Sequence, residues 1–283
     1  MAKGITIGAD PEFFLKTSKG EVISAHDLVP GTKGEPHRLT KGAVQADGTA
    51  VEFNIDPAST ADEFCENIMT TLDEIRDMIP KELEFYYAPH VKYPKKYFDS
   101  LPREATELGC DPDFSCFTGK VNVIDYVPTS RKVIRTGGGH IHIGWGEGID
   151  VDDPIHREDC RVVTQYLMLC LQPYLDLTTP RNQRSKLYGG TGAYRPKSYG
   201  VEYREPSNFW LSGGEQEYKV LFTLIEEMMS KALDNPRRLF NDRYHWLNDI
   251  NYQFTYKTPM SEKMTGIPPK HVLKRMKDVK TFR

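Results

Sequence analysis

Apolar residues cluster in short strand-like runs at the start of the chain, at residues 5–8, 13–16 and 21–25, broken by Gly, Pro and Lys. Ser18-Lys19-Gly20 reads as the turn between the last two runs. Residues 26–42 are polar and hold Pro30, Gly31, Gly34 and Pro36, so they read as a loop. Asp47-Gly48 is a tight-turn dipeptide, and its flanks, 42–45 and 50–55, make a second hairpin. A helix is expected next. Thr60 and Glu63 have capping-box spacing, and Phe64, Ile68, Leu72 and Ile75 recur at the helical period. Residues 84–145 return to short strand-like runs. A second helix is expected over 154–171, with Pro154 in its first turn and Val163, Leu167 and Cys170 on one face. Residues 178–200 read as a long basic loop, 199–204 as a strand and 215–233 as a third helix. From residue 257 the chain is basic and polar, with Pro259, Pro268 and Pro269, and reads as a loosely packed tail behind a single domain of residues 1–256. Strands in hairpin sets with helices between them favour an α+β fold with an antiparallel sheet.

Composition narrows the classes. A chain of 283 residues makes one large domain or two small ones. With 39% hydrophobic and 27% charged residues, disorder is not the default. A net charge of -3 argues against a general nucleic-acid coat, because phosphate backbones call for a basic footprint. Residues 1–5 lack the apolar run of a signal peptide, and no stretch approaches the ~18 apolar residues of a membrane span. Cys65, Cys110, Cys116, Cys160 and Cys170 are scattered with no CxxC pair, which reads as reduced thiols in a cytoplasmic protein.

The chemistry-bearing residues sit on the strand-like runs. Asp10 and Glu12 are two apart, so a strand turns both carboxylates to one face. Such a pair is either a solvated strand end or a magnesium-binding edge. Glu52 stands between apolar neighbours after Asp47-Gly48, either facing outward or poised over a cleft. Gly137-Gly138-Gly139 leads into His140 and His142, which share a face and suit a metal or a phosphate. Glu202 and Arg204 share another face, as an ion pair or as a metal ligand beside an anion clamp. Arg181, Arg184, Lys186, Arg195 and Lys197 precede them with no acid among them. Cations for phosphate oxygens and carboxylates for metals are what a nucleoside triphosphate requires. Neither GxGxxG nor GxxxxGK[ST] occurs, so a Rossmann or P-loop site is unsupported.

In order, the segments GADPEFFL, QADGTAVEFNIDPA, GCDPDF, RTGGGHIHIGW and GAYRPKSYGVEYREPSNFWL span residues 8–211. This ordered set resembles the phage-type carboxylate–amine ligases, type 2, amidoligases of the glutamine synthetase and glutamate–cysteine ligase superfamily. The resemblance implies a curved antiparallel sheet with flanking helices, like the glutamine synthetase catalytic domain. It implies amide-bond formation between a carboxylate and an amine, on small molecules or peptides, driven by ATP with Mg2+. By position, Glu12 and Glu52 would hold one metal, and Asp10, His140 and Glu202 another. His142 would sit near the transferred phosphate. Arg204, Arg195 and Lys197 would bind phosphate or substrate carboxylate. The superfamily's first strand carries ExE, where this chain has Asp10-x-Glu12. Asp47 stands for a second acid on the Glu52 hairpin. Asp111 and Asp113, in an echo of the GADPEF segment, would complete the site or bind the amine. Two other readings of the same residues stay open: a guanidino- or carboxylate phosphotransferase on this scaffold, and a metal-dependent hydrolase.

Overall fold

The computed structural model describes residues 4–107, 113–122, 132–178 and 184–234. Strands β1 (Thr6–Thr17), β2 (Val22–Ile23), β3 (His37–Arg38), β4 (Gly42–Asp47) and β5 (Ala50–Ile55) precede helix α1 (Ala61–Met78). Next come β6 (Leu83–Tyr86), β7 (His90–Pro94), and short helices α2 (Lys95–Phe98) and α3 (Arg103–Thr106). Strands β8 (Phe114–Ser115), β9 (Lys132–Thr136) and β10 (Gly139–Gly144) lead to helix α4 (Pro154–Thr178). Helix α5 (Arg184–Leu187), strands β11 (Ala193–Lys197) and β12 (Gly200–Tyr203), a 3-10 helix (Asn208–Gly213) and α6 (Gly214–Asp234) follow. The sequence expectation of a tail at 257–283 lies outside the described residues.

Among the described residues one 10-stranded sheet dominates, in the order β3-β4-β5-β1-β10-β12-β11-β8, with β2 and β6 also pairing with β1. Its paired strands run antiparallel, as does the separate β7-β9 pair. The expected α+β class with an antiparallel sheet and flanking helices is what the chain forms. No described helix is long and apolar enough to cross a membrane.

Alternation sorts the two faces of this sheet. Ile7, Ala9 and Phe13 of β1, Val51, Phe53 and Ile55 of β5, Ile141 and Ile143 of β10, and Val201 and Tyr203 of β12 are buried in one core with residues of α1, α4 and α6. Fully burying a side chain such as Phe13 is worth about 1.5–3 kcal/mol, so this face carries much of the stability. On α1 the Thr60 side chain accepts from Glu63 N at 3.2 Å, and Glu63 accepts in return from Ser59 N at 2.7 Å. The reciprocal arm of the capping box thus lands one residue earlier than the motif predicts. A smaller apolar cluster of Phe14, Ala50, Ala88, Val91, Tyr93 and Phe98 ties the β7-β9 pair to the opposite face.

Three elements differ from the sequence expectation. The runs at 5–8 and 13–16 are one continuous strand, β1, through Asp10-Pro11. Pro11 is the last position paired with β10 before Glu12 pairs with β5, so a residue without an N–H is accommodated at the hand-over. The basic loop contains β11, whose Ala193, Tyr194 and Pro196 are buried. Pro196 lies beyond the two residues that β8 pairs, on an edge where proline is tolerated. Helix α4 continues past residue 171 through Pro173 to Thr178, with Leu171 and Tyr174 buried in the core. Tertiary packing overrides local propensity there.

Candidate functional site

The polar face follows from the same alternation. Gln45, Glu52 and Glu12 stand opposite one another across β4, β5 and β1. His142, Glu202 and Arg195 do so across β10, β12 and β11, with Gly8 of β1 facing His142. Asp10, opposite His140, lies between these two rows. The triple glycine before His140 is a close approach of backbone. A Cβ on Gly139 would meet the Ser207 carbonyl oxygen at 2.3 Å, and one on Gly138 would meet the His140 ring at 2.4 Å. This lets the segment after β12 fold back: Trp210 Nε1 donates to the Gly139 carbonyl at 3.0 Å, and Asn208 Nδ2 to the Glu12 carbonyl at 2.8 Å.

At one end the site is acid-rich. Gln45 Nε2 donates to Glu52 at 2.5 Å, and Gly138 N donates to the Glu12 carboxylate at 2.9 Å. Burial, then the charge of Asp47, pushes Glu12 up to about 7 against the pull of the Gly138 N–H and Arg184. Burial and the neighbouring Asp10, Glu12 and Asp47 push Glu52 well above the carboxylate range. Asp47 is also raised by burial, with Lys33, Arg135 and Arg204 pulling it back. Carboxylates crowded this way favour a cation or a proton between them.

The other end is cation-rich. The Glu202 carboxylate is fully buried, with Lys197 Nζ at 2.9 Å, Arg195 Nη1 at 3.4 Å and Arg204 Nη1 in direct contact. Arg204 Nε lies 3.6 Å from Asp113 Oδ2, and Asn122 Nδ2 donates to Asp113 Oδ1 at 2.8 Å. Arg184 is buried, and desolvation lowers its guanidinium to about 10. It donates to the Glu205 carbonyl at 2.8 Å and the Arg204 carbonyl at 3.2 Å, holding the backbone after β12.

Between the two ends, one ligand atom each from Asp10, His142 and Glu202 lies within 4.8 Å of the others. Asp10 Oδ1 is 2.9 Å from His142 Nε2 and 3.2 Å from His140 Nδ1, and His140 Nδ1 is 3.5 Å from Glu202. Asp10 Oδ1, both ring nitrogens of His140 and Nε2 of His142 are buried with no hydrogen-bond partner. Close-set polar atoms that do not bond one another are what a coordinated cation would satisfy, so these residues fit a divalent ion. Desolvation, then Arg204, lowers His140 to about 4, which leaves it neutral and able to ligate. Burial pushes Asp10 up, but His142 and His140 outweigh it and hold the carboxyl well below its usual range. Above the triad opens a cleft of about 520 Å³, lined among others by Asp10, Glu52, Asn54, His142, Lys197 and Tyr199.

The structure therefore brings the sequence-nominated Asp10, His140, His142, Arg195, Lys197, Glu202 and Arg204 into one contacting group. Glu12 and Glu52 face each other as a second group alongside it. The histidine whose ligand atom converges with those of Asp10 and Glu202 is His142, expected instead beside the phosphate. His140 stands against the same two carboxylates. Asp47 and Asp113 border the site; Asp111 and Arg181 lie outside the described residues, as does the Lys186 side chain. Gln45, Asn208 and Tyr199 were not nominated from sequence. Gln45 pairs with Glu52, and a polar residue opposite an acid in a hairpin was a readable signal. Asn208 follows the polar Ser207 in a mixed run and offered no such signal.

Residues 123–245 match the sequence model of the family described as Phage phiEco32-like COOH.NH2 ligase-type 2. Over that stretch, which is less than half of the chain, it is similar to this carboxylate–amine ligase family. The match includes His140, His142, Glu202 and Arg204; the acids of β1 and β5 lie before it. No curated protein matches the chain. A crystal structure described as a novel glutamine synthase homolog aligns with it at 12% identity and a TM-score of 0.37, over 81% of this chain and 56% of that one. The chain thus spans little more than half the length of that neighbour.

Proposed function

We propose that residues 1–256 form one amidoligase domain, a cytoplasmic enzyme that joins a carboxylate to an amine through an acyl-phosphate, using ATP and Mg2+. The observation that carries this reading is the junction of Asp10, from a strand outside the matched stretch, with His142 and Glu202 inside it. In this reading Asp10, His142 and Glu202, backed by His140, hold one ion, and Glu12 with Glu52 holds another. Bound Mg2+ supplies charge neutralisation on the triphosphate oxygens. Arg204, Arg195 and Lys197 share their donors between Glu202 and the incoming phosphates, since guanidinium groups bind both anions well. The substrate carboxylate oxygen attacks the γ-phosphorus and ADP leaves. The amine nitrogen then attacks the acyl carbon, inorganic phosphate leaves, and the amine loses a proton. The chain's part is to orient the groups and to neutralise charge as it moves.

The test is ADP release by purified protein incubated with ATP, Mg2+ and panels of acids and amines. Release that requires an acid and an amine together, with an amide product, is expected. Glu12→Gln and Glu202→Gln should each lower it by at least about 100-fold while leaving the circular dichroism spectrum unchanged. Full activity in both variants, or a stable phosphorylated product with no amide, would overturn the assignment.

A further inference from the structure

Tyr199, expected from sequence at the start of a strand, sits instead in the turn between β11 and β12. Its carbonyl accepts from Trp145 N at 2.9 Å and Gly146 N at 3.1 Å, which ties the turn to the end of β10. Gly200, next in the chain, has φ +154°, and a Cβ there would meet the Ile143 carbonyl oxygen at 2.1 Å. The turn is thus fixed on both sides. It places the tyrosine ring over His142, with centroids 5.9 Å apart and 26° between planes, and its hydroxyl is hydrogen-bonded to His142 Nδ1.

The other ring nitrogen has different surroundings. His142 Nε2 is 2.9 Å from Asp10 Oδ1, yet neither atom has a hydrogen-bond partner, so an N–H on Nε2 is not aimed at that carboxylate. A buried N–H left without an acceptor costs about 1–3 kcal/mol. A proton on Nδ1 meets the tyrosine oxygen instead. We infer that Tyr199 is a positioning residue for the metal site: its oxygen accepts from His142 Nδ1–H, and this holds the tautomer whose Nε2 lone pair faces Asp10 and Glu202. Tyr199 lines the cleft, so its own hydroxyl proton is left for whatever occupies that space. An outer hydrogen bond of this kind orients a ligating histidine and raises its basicity. In this arrangement Nε2 is a ligand and not a donor to the moving phosphoryl group. The inference rests on the metal-site reading above.

Its test has two arms. The first is the nitrogen spectrum of 15N-histidine-labelled, metal-free protein at pH 8, with His142 assigned by loss of its signals in His142→Asn. A protonated Nδ1 and bare Nε2 are expected; a protonated Nε2 overturns the inference. The second is Mn2+ binding followed by electron paramagnetic resonance in Tyr199→Phe. The affinity of one site should fall roughly 10- to 100-fold, and a fall smaller than about tenfold overturns the inference. Should Tyr199→Phe fail to fold, the wild-type tautomer decides alone. Wild-type protein that takes up no Mn2+ would sink the ligase reading, while the tautomer measurement would still test the role of Tyr199.

Discussion

Glu52 and Glu202 lie on the same face of one sheet, yet their surroundings are opposite. Glu52 faces Glu12 across the strands, with Asp10 and Asp47 close by, and takes a single neutral donor from Gln45. Glu202 is ringed by Lys197, Arg195 and Arg204. The first end concentrates negative charge and calls for a cation. The second end is neutralised by the chain itself, and its cations lie in a position to take up an anion. A triphosphate carried by metal ions needs both, side by side. The contrast shows that the site's polarity follows the strand order: β5, beside β1, brings acids, and β12, on the far side of β10, leads to the arginines.

The largest effect that would probe this contrast is Arg204→Ala. It removes a buried partner of Glu202 and should destabilise the fold by about 3–5 kcal/mol in denaturant titrations, because it leaves buried charge uncompensated. A loss under about 1 kcal/mol would mean that Lys197 and Arg195 neutralise Glu202 by themselves.

Next is the pH dependence of the metal-free protein. Glu12 titrates at about 7 in the fold, above its unfolded value. The folded state therefore binds the extra proton, and the stability this proton gives is present at low pH. That contribution is lost as pH rises from about 4.5 through about 7, by on the order of 3 kcal/mol. Mg2+ should restore it, so the Mg2+-induced rise in melting temperature should be larger at pH 8 than at pH 5.5. An equal rise at both pH values would remove the acid end from the metal site.

A smaller effect of opposite sign is expected for Glu52→Gln. Without metal at pH 8 it removes like-charge repulsion and should stabilise the fold by about 1 kcal/mol, while the Mg2+-induced shift shrinks. Destabilisation in metal-free buffer would show that the Gln45 contact outweighs the repulsion. The smallest is Lys197→Met. Its ammonium is partly exposed, so its ion pair is worth less than about 1 kcal/mol in denaturant titrations. Under the proposed ligase function its signature should instead be a raised KM for ATP.

Much of this was legible in sequence because a strand has a period of two. Asp10 and Glu12, His140 and His142, and Glu202 and Arg204 announce a shared face by spacing alone. The Asp47-Gly48 turn and the Thr60 cap were readable for the same local reason. Register was not. That Glu12 meets Glu52, or that His142 meets Glu202, depends on pairings between distant segments that no local spacing encodes. Tyr199 lies in a turn, where side-chain direction has no period. Arg184 read as part of a basic loop, since only tertiary packing buries it against backbone carbonyls. β11 was hidden by Pro196, which counts against a strand unless the edge position is known.

Glu12 takes hydrogen bonds from Gly138, 126 positions along the chain, and from Asn208, 196 positions along. During translation at roughly 5–20 residues per second, β1 leaves the ribosome many seconds before either partner exists. The stretch from Thr6 to Pro11 that pairs with β10 must wait unpaired, and the site closes only when β10 and β12 arrive. Such non-local pairing folds slowly. A chaperone that shields a half-made sheet should therefore raise the yield of active protein more than it alters the finished protein's stability.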